Sequence, residues 1–327
     1  MTDKNSQKIR WVIFHEPIDL FLRTANAFCD EIKQLTNGRL EIEVYTISEY
    51  ANKFHNGLGF DPAALITSGE VQMSQCYIAT LGAARATDFY ALDMPFLFKD
   101  HDHVSRVLEG EIGQKMLNET LPEKTAMRGL AFTYSGGYRV MASNRQIKTA
   151  EDLKGLTVGI KTNPIFADMC KAFGCGYESI PDLLQPLTNS DQELKNQLAK
   201  VNTVQTTLPR YSVEARSDIH KHVTNTKHSI YLTTIVIGEQ FWNSLSVEDQ
   251  MIMRQAALNS SRKERTWSVE DAEKISGDKA EQEKLGIETF HELSAAESKK
   301  LKDSVEGLYT KYTKFFTPGL IDSILKS

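Results

Sequence analysis

Arg139 is the side chain of this sequence best suited to bind a charged ligand. It follows Gly136 and Gly137, which separate two predicted strands at 129–134 and 138–143, and this apolar stretch has few other charges. A guanidinium in such surroundings needs a carboxylate, a phosphate or a ligand as its partner. The residues alone leave two interpretations open, contact with a bound anion and an ion pair within the protein.

Residues 100–103, Asp-His-Asp-His, have the side chains of metal ligands but not the spacing. Successive residues of a helix point about 100° apart, so the run does not converge on one ion and instead predicts the charged start of a helix. His-Glu at 15–16 lacks the second histidine of a zincin helix, and residues 57–59 lack the third glycine of a dinucleotide site. Phosphate-loop and Gly-x-Ser-x-Gly motifs are absent. We therefore expect no metal, no cofactor and no catalytic site.

Strands and helices alternate along the chain and position these residues. An apolar run at 8–15, a helical pattern at 19–35 and an alternating run at 40–45 begin a βαβ series. The same order returns at 156–173. Residues 246–285 are helix-like throughout, a length of about 60 Å, and a helix that long tends to cross between domains. The pattern predicts an α/β fold with parallel strand pairs.

Composition excludes several classes of protein. The chain has 327 residues, enough for about two domains, and its 38 Lys and Arg against 43 Asp and Glu give a net charge of −5. Such a chain is a poor binder of nucleic acid or anionic membranes. It has no apolar run of about 18 residues and no apolar segment near its start, so neither a membrane span nor a signal peptide is predicted. The protein is then either cytosolic or secreted with its signal removed.

Six motifs follow one another in an order typical of a known family. They are TNGRLEIEVY at 36–45, ITSGEVQM at 66–73, LDMPFLF at 92–98, GGYR at 136–139, IKTAEDLKGL at 147–156 and FW with LSVEDQ at 241–250. Together they resemble the solute-binding proteins of tripartite ATP-independent periplasmic (TRAP) transporters, of the DctP type. The resemblance implies a two-lobed α/β periplasmic-binding-protein fold that closes on a ligand in its cleft by hinge motion.

The sequence departs from the family pattern where ligand carboxylates are usually held. Gly159 stands where the family commonly has an arginine, and it is expected to leave room that an arginine would fill. Gln205, Thr206 and Thr207 stand where the family has glutamate and asparagine. We therefore expect a cleft with one cation fewer, in which these three residues are neutral hydrogen-bonding partners of the ligand.

The remaining predicted ligand contacts come from strand ends. Arg139 is expected to clamp an anionic group. Tyr77 and His15 follow predicted strands, and open α/β sheets bind ligands outside the carboxyl ends of their strands. Lys161, two residues after Gly159, is a candidate to replace the missing cation, and it is equally compatible with a solvated lysine.

The resemblance also implies how the chain is divided. Lobe 1 is expected to contain residues 8–136 and 226–264, and lobe 2 residues 137–225 and 265–310. Hinge strands and the long helix would join the two lobes, and residues 311–327 would pack across both.

The predicted function is that of a monomeric extracytoplasmic solute receptor. It would bind a small, mono-anionic organic solute and deliver it to TRAP membrane subunits in the periplasm, without catalysis. Two alternatives stay open on the sequence. One is a ligand-binding component of a signalling system, and the other is a cytosolic α/β enzyme, for which we find no catalytic motif.

Overall fold

The computed structural model of the chain describes residues 7–14, 19–57, 61–161, 163–180, 196–215 and 217–327. Ten strands form within these ranges. They are β1 (Gln7–Ile13), β2 (Leu40–Thr46), β3 (Met73–Tyr77), β4 (Met127–Ser143), β5 (Thr157–Ile160), β6 (Gly176–Ser179), β7 (Thr203–Thr207), β8 (His222–Asn225), β9 (Ile230–Gly238) and β10 (Thr289–Glu292).

Helices connect and cover these strands. The α-helices of the described residues are α1 (Asp19–Leu35), α2 (Ile47–Phe54), α3 (Pro62–Thr67), α4 (Ile78–Ala83), α5 (His101–Glu109), α6 (Glu111–Lys115), α7 (Leu121–Lys124), α8 (Pro164–Ala172), α9 (Tyr211–Glu214), α10 (Glu239–Ser244), α11 (Val247–Gly277), α12 (Lys279–Lys284), α13 (Ala295–Ser304), α14 (Glu306–Tyr312) and α15 (Leu320–Lys326). Shorter 3-10 turns lie at Thr87–Asp93, Ala150–Leu153, Leu208–Arg210 and Thr313–Phe315, and a π-helical turn at Met116–Thr120. In the ranges given above, no helix combines the length and the apolar character that a membrane crossing requires.

The strands form one mixed sheet with the order β2-β1-β3-β9-β4-β7-β5-β6, and β8 pairs with β4 and β10 beside this path. β1 pairs in parallel with β2 and β3, and β5 pairs in parallel with β6 and β7. Between these two parallel groups, β9 and β4 run antiparallel to their neighbours. Parallel groups with crossover helices confirm the predicted α/β class.

β4 is one continuous strand of 17 residues, although the sequence predicted two shorter strands on either side of the glycines. Between Tyr134 and Tyr138, β4 advances four positions while its partner β9 advances two, so β4 bulges. Gly136 and Gly137 form the bulge with φ angles of 90° and 81°, which glycine adopts without strain. The bulge lets one strand serve both parts of the sheet.

The long helix α11 supplies the hydrogen bonds that the bulge cannot make within the sheet. The Glu264 carboxyl accepts from the backbone N–H of Tyr134, and the Ser268 hydroxyl accepts from the N–H of Gly136 at 3.3 Å. Burial raises the pKa of Glu264 to about 8, so this carboxyl is largely neutral at pH 7. The helix and the bulge are therefore fixed to each other.

Helix α11 is shorter than predicted. It has 31 residues, about 46 Å, and ends at Gly277. Asp278 is extended and caps the next helix, because its side chain accepts from the N–H of Ala280 at 2.8 Å. The prediction of one helix of about 60 Å is therefore wrong, although α11 does pack against both α1 and β4.

The Asp-His-Asp-His run is a helix start, as predicted. Asp100 caps α5 by accepting from the N–H of His103 at 2.7 Å. The buried His103 ring contacts the N–H of Lys99 at 3.1 Å and the carbonyl of Ile324 at 2.7 Å. Among the residues that the structure describes, no group of three His, Cys, Asp or Glu side chains is arranged to hold a metal ion.

The C-terminal segment contacts distant parts of the chain. Thr317 donates to the Asp88 carboxylate at 2.6 Å, and the Tyr312 hydroxyl donates to the carbonyl of Pro164 at 2.9 Å. Ile324 contacts His103 as described above. The segment thus joins the region before α5 to the start of α8.

The two glycines of the bulge should respond differently to alanine. Both have positive φ, which costs an L-residue about 1 kcal/mol. A Cβ at Gly136 would also lie 2.2 Å from Thr207 Oγ1, whereas a Cβ at Gly137 would meet no heavy atom within 4 Å. We expect Gly136→Ala to lower the free energy of unfolding by about 2–4 kcal/mol and Gly137→Ala by about 1 kcal/mol. Urea unfolding measures both, and equal losses would contradict the close approach.

Candidate functional site

The candidate site lies just after the bulge, where β4, β7 and β9 adjoin. Arg139 of β4 is opposite Thr207 of β7, and its backbone N–H donates to the carbonyl of Ser229 at 2.8 Å. The Arg139 side chain is buried, with Cζ 3.5 Å from the centre of the Tyr231 ring and 4.8 Å from that of Phe166. Its Nε has no hydrogen-bond partner among the described residues. The guanidinium is thus held by aromatic rings and keeps donor capacity unused.

Asp93 brings a carboxylate to this guanidinium from a distant part of the sequence. Its Oδ1 lies 3.9 Å from Arg139 Nη2, and its Oδ2 accepts from Asn163 Nδ2 at 2.8 Å. Burial raises the pKa of Asp93 to about 7, although Arg139 and Asn163 both oppose this rise. The ion pair that the sequence left open is therefore present, but at a separation longer than a hydrogen bond.

A second buried arginine, Arg210, also lies near the Tyr231 ring. Its Cζ is 5.4 Å from the ring centres of both Tyr77 and Tyr231. Nη2 donates to Glu214 Oε1 at 3.0 Å, and Nη1 donates to Ser135 Oγ at 3.2 Å. Burial disfavours the charge of Arg210, but Glu214, with Tyr77 and Tyr231, raises the pKa of Arg210 above its ordinary value. Unlike Arg139, this guanidinium has a close carboxylate partner.

Glu214 gathers several of the predicted residues around itself. Thr206 Oγ1 donates to its Oε2 at 2.7 Å, and Lys161 Nζ lies 3.9 Å from its Oε1. Burial works against ionisation, but Arg210 and Lys161 hold the pKa of Glu214 below its ordinary value. Lys161 therefore faces a carboxylate of the protein rather than bulk solvent alone.

The threonines predicted as ligand donors use their hydroxyl protons within the protein. Thr206 donates to Glu214, and Thr207 Oγ1 donates to the carbonyl of Ser135 at 2.8 Å. Both hydroxyls are buried, and they hold Glu214 and the bulge. Contact of either threonine with the ligand stays a prediction, in which its oxygen would accept a hydrogen bond rather than donate one.

Gln205 is different, because one of its groups is unused. Its Oε1 lies 3.1 Å from His228 Nε2, while its Nε2 is buried without a partner among the described residues. Burial, with the nearby charge of Arg139, lowers the pKa of His228 to about 3, so the ring is neutral. The Thr226 hydroxyl lies 2.7 Å from His228 Nδ1, so a series of polar contacts runs from Thr226 through His228 to Gln205. His228 thus orients the Gln205 amide, whose Nε2 group keeps unused donor capacity among the described residues.

Three further residues were predicted to contact the ligand, namely Tyr77, His15 and Gly159. Tyr77 joins the site, with its ring 4.8 Å from that of Tyr231. His15 lies outside the described residues. The room expected beside Gly159 is absent, because a Cβ there would lie 2.1 Å from Ile180 Cδ1 and 3.3 Å from Val201 Cγ2. The space is filled because apolar side chains of the core pack against Gly159.

Sequence reasoning missed four contributors to this cluster. Asp93 lies inside the LDMPFLF motif, and Arg210 follows the end of β7, a position that could have marked it as a second cation. Tyr231 lies in a strand-like run rich in β-branched residues and Glu214 in a short helix, so neither carries a recognisable signal. Three cationic side chains against two carboxyl groups leave the site suited to an anion.

Comparison with known proteins agrees with this architecture. The family model of the bacterial extracellular solute-binding proteins, family 7 (DctP), matches residues 14–182 and 201–314. The chain is 25% identical over 274 residues to the C4-dicarboxylate-binding periplasmic protein DctP of Rhodobacter capsulatus, which covers 84% of this chain and 76% of that protein. It is 25% identical over 263 residues to the sialic acid-binding periplasmic protein SiaP of Vibrio cholerae, covering 79% and 76%.

Solved structures have the same fold. A TRAP periplasmic solute-binding protein from a Polaromonas species, bound to D-erythronate, superposes with a TM-score of 0.81 at 22% identity and covers 98% of both chains. One from Pseudomonas putida, with bound D-glucuronate, gives a TM-score of 0.78 at 23% identity and covers 97% of this chain and 96% of that one. The predicted two-lobed fold is confirmed.

Removal of the Glu214 charge should destabilise the protein strongly. In Glu214→Gln, Arg210 keeps a buried charge without a carboxylate, which typically costs about 3–5 kcal/mol. Glu288→Gln is the matched control, because Glu288 pairs with Lys221 at 2.7 Å on the surface and its loss should not be measurable. Urea unfolding at pH 7 compares the two. Equal stabilities would show that the buried pair does not need its carboxylate.

Proposed function

The chain belongs to the bacterial extracellular solute-binding proteins of family 7, the solute receptors of TRAP systems, and we propose that it binds a small organic anion at Arg139. The observation that carries this proposal is the state of the Arg139 guanidinium. It is buried on the Tyr231 ring, its Nε is unpartnered among the described residues, and Asp93 is 3.9 Å away. A solute carboxylate is the group that fits a planar fork of donors.

The proposed solute has one anionic group and a polar, uncharged body. The second arginine, Arg210, donates to Glu214 at 3.0 Å, whereas the carboxylate facing Arg139 is 3.9 Å away, so Arg139 is the arginine that we assign to the solute. The Gln205 amide and the buried Ser229 hydroxyl, both unpartnered among the described residues, would meet neutral polar groups. D-Erythronate and D-glucuronate, bound to the structural relatives, are hydroxylated acids with a single carboxylate and support this class.

The other proposed contacts form the walls of the cleft. Tyr77 and Tyr231 would pack against the solute, and Lys161 would act through Glu214 rather than directly. His15 stays a proposed contact on the sequence alone. We do not propose Gly159, because Ile180 fills the space beside it.

We propose the lobe division given by the sequence, residues 8–136 with 226–264 and residues 137–225 with 265–310. The bulge at Gly136 and Gly137 falls at the first boundary and supports it. The contacts of residues 311–327 with Asp88 and with the start of α8 support a segment that packs across both lobes.

We place the receptor in the periplasm as a monomer that delivers its solute, chemically unaltered, to TRAP membrane subunits. The periplasmic relatives from Rhodobacter capsulatus and Vibrio cholerae support this placement.

Substitution of Arg139 tests the proposed function directly. A thermal-shift panel of D-erythronate, D-glucuronate, succinate and N-acetylneuraminate identifies a ligand, and calorimetry then measures its affinity. Arg139→Ala should lose about 150- to 5,000-fold in affinity, the cost of removing one partner of a buried charge pair. Arg139→Lys should also weaken binding strongly, because an ammonium lacks the planar fork.

Lys161→Ala is the matched control, since Lys161 lies 3.9 Å from Glu214 and is not proposed to touch the solute. It should cost about tenfold or less. Wild-type affinity in Arg139→Ala would remove the central residue of the proposal. A large loss in Lys161→Ala would mean that lysine has taken over the anion clamp.

Solute binding should close the cleft. The proposed lobes meet at the bulge, so a solute that contacts both should favour the closed state and lower the radius of gyration. Small-angle X-ray scattering with and without saturating ligand measures this change. An unchanged profile with a tight ligand would contradict the hinge.

A further inference from the structure

The pair formed by Asp93 and Arg139 is unusual because it is buried but loosely made. Both side chains are at most 4% exposed, and Asp93 Oδ1 lies 3.9 Å from Arg139 Nη2. Neither Asp93 Oδ1 nor Arg139 Nε has a hydrogen-bond partner among the described residues. The other oxygen of Asp93 is held at 2.8 Å by Asn163, the residue that caps α8. The carboxylate is therefore fixed in place with one oxygen facing the guanidinium.

Few other ionisable groups act on Asp93. Tyr90, in the same 3-10 turn, has its pKa raised by burial and by the charge of Asp93. Helix α8, which packs beside this turn, contributes the uncharged Asn163 side chain. His228, which lies near Arg139, is neutral because burial lowers its pKa to about 3. Arg139 is the one charged group in the described chain that shifts the pKa of Asp93.

A solute carboxylate at Arg139 would place a second negative charge beside Asp93. One guanidinium cannot neutralise two buried carboxylates, and two such groups sharing a site do not both stay ionised. The other two cations of the site, Arg210 and Lys161, face Glu214 rather than Asp93. A solute carboxylate is therefore accommodated at Arg139 when Asp93 gives up its charge.

We propose that Asp93 is the resident counter-ion of Arg139 in the empty receptor, and that binding of an anionic solute makes Asp93 take up one proton from solvent. The inference rests on the proposed function, because it requires Arg139 to bind the solute carboxylate. Solute binding is then coupled to protonation of Asp93.

The coupling has a definite direction with pH. Burial raises the pKa of Asp93 in the empty receptor to about 7. Well below pH 7 the carboxyl is already neutral, so the affinity for an anion is highest and independent of pH. Above pH 7 each solute must bring a proton with it, so the affinity falls by up to about tenfold per pH unit until the pKa of the bound state is passed.

Carbon-13 NMR of aspartate carboxyl groups in the whole protein tests the coupling with acetate as the probe. Asp93 is assigned as the resonance missing in Asp93→Asn. We expect it to titrate near pH 7 in chloride and at a higher pH in acetate of equal concentration. Asp168 is the internal reference, because hydrogen bonds from Lys311 and Lys171 outweigh its burial and lower its pKa to about 2, which acetate should not change.

The outcomes separate the inference from the proposed function. Carbon-13 spectra of the tyrosine rings, recorded in the same two buffers, show whether acetate enters the cleft beside Tyr231. If acetate shifts the Tyr231 resonances but leaves the titration of Asp93 unchanged, the inference is wrong and the anion site stands. If acetate shifts no resonance of the cleft, Arg139 does not bind carboxylates, and the proposed function and the inference fail together.

The pH dependence of D-erythronate binding provides a second readout. Between pH 6 and 9 the wild-type affinity should fall, while that of Asp93→Asn should stay within about twofold. Glu264 also titrates near pH 8, so Glu264→Gln is the control, and it should keep the wild-type dependence. A dependence that survives in Asp93→Asn and disappears in Glu264→Gln would assign the proton to the bulge and overturn the inference.

Discussion

The burial of the Arg139 guanidinium against the Tyr231 ring is the interaction on which the cleft depends. A cation removed from water must be balanced, and an aromatic face balances it only in part. Arg210, which also lies near the Tyr231 ring, has Glu214 at 3.0 Å, whereas Arg139 has Asp93 at 3.9 Å. The protein thus contains two buried arginines with different partners, since Arg210 donates to a carboxylate whereas Asp93 stays beyond hydrogen-bond distance of Arg139.

This difference follows from how the strands are joined. The bulge at Gly136 and Gly137 carries β4 from one part of the sheet to the other and places Arg139 directly after the crossing. Helix α11 stabilises the bulge, because its Glu264 and Ser268 side chains accept hydrogen bonds from backbone N–H groups of the bulge. The backbone of β4 therefore sets the position of the Arg139 guanidinium, and Asp93 sets how far its charge is balanced.

Much of this arrangement was predictable because it is local. Alternating apolar residues give β2, the spacing of buried residues gives α1, and an arginine in an apolar strand marks the site. The partners of Arg139 were not predictable, because Asp93 and Tyr231 lie far from it in sequence and meet it only through the strand order. The same limit applies to Gly159, where the sequence shows a missing side chain but not the Ile180 that replaces it.

The packing at Gly159 has a consequence for redesign of the cleft. Ile180 and Val201 lie where the first carbon atoms of a larger side chain at position 159 would be. An arginine placed there alone would force a charged chain into apolar surroundings, so it requires at least one compensating change nearby. New solute chemistry is therefore more accessible by substitution on the face that carries Arg139 than at position 159.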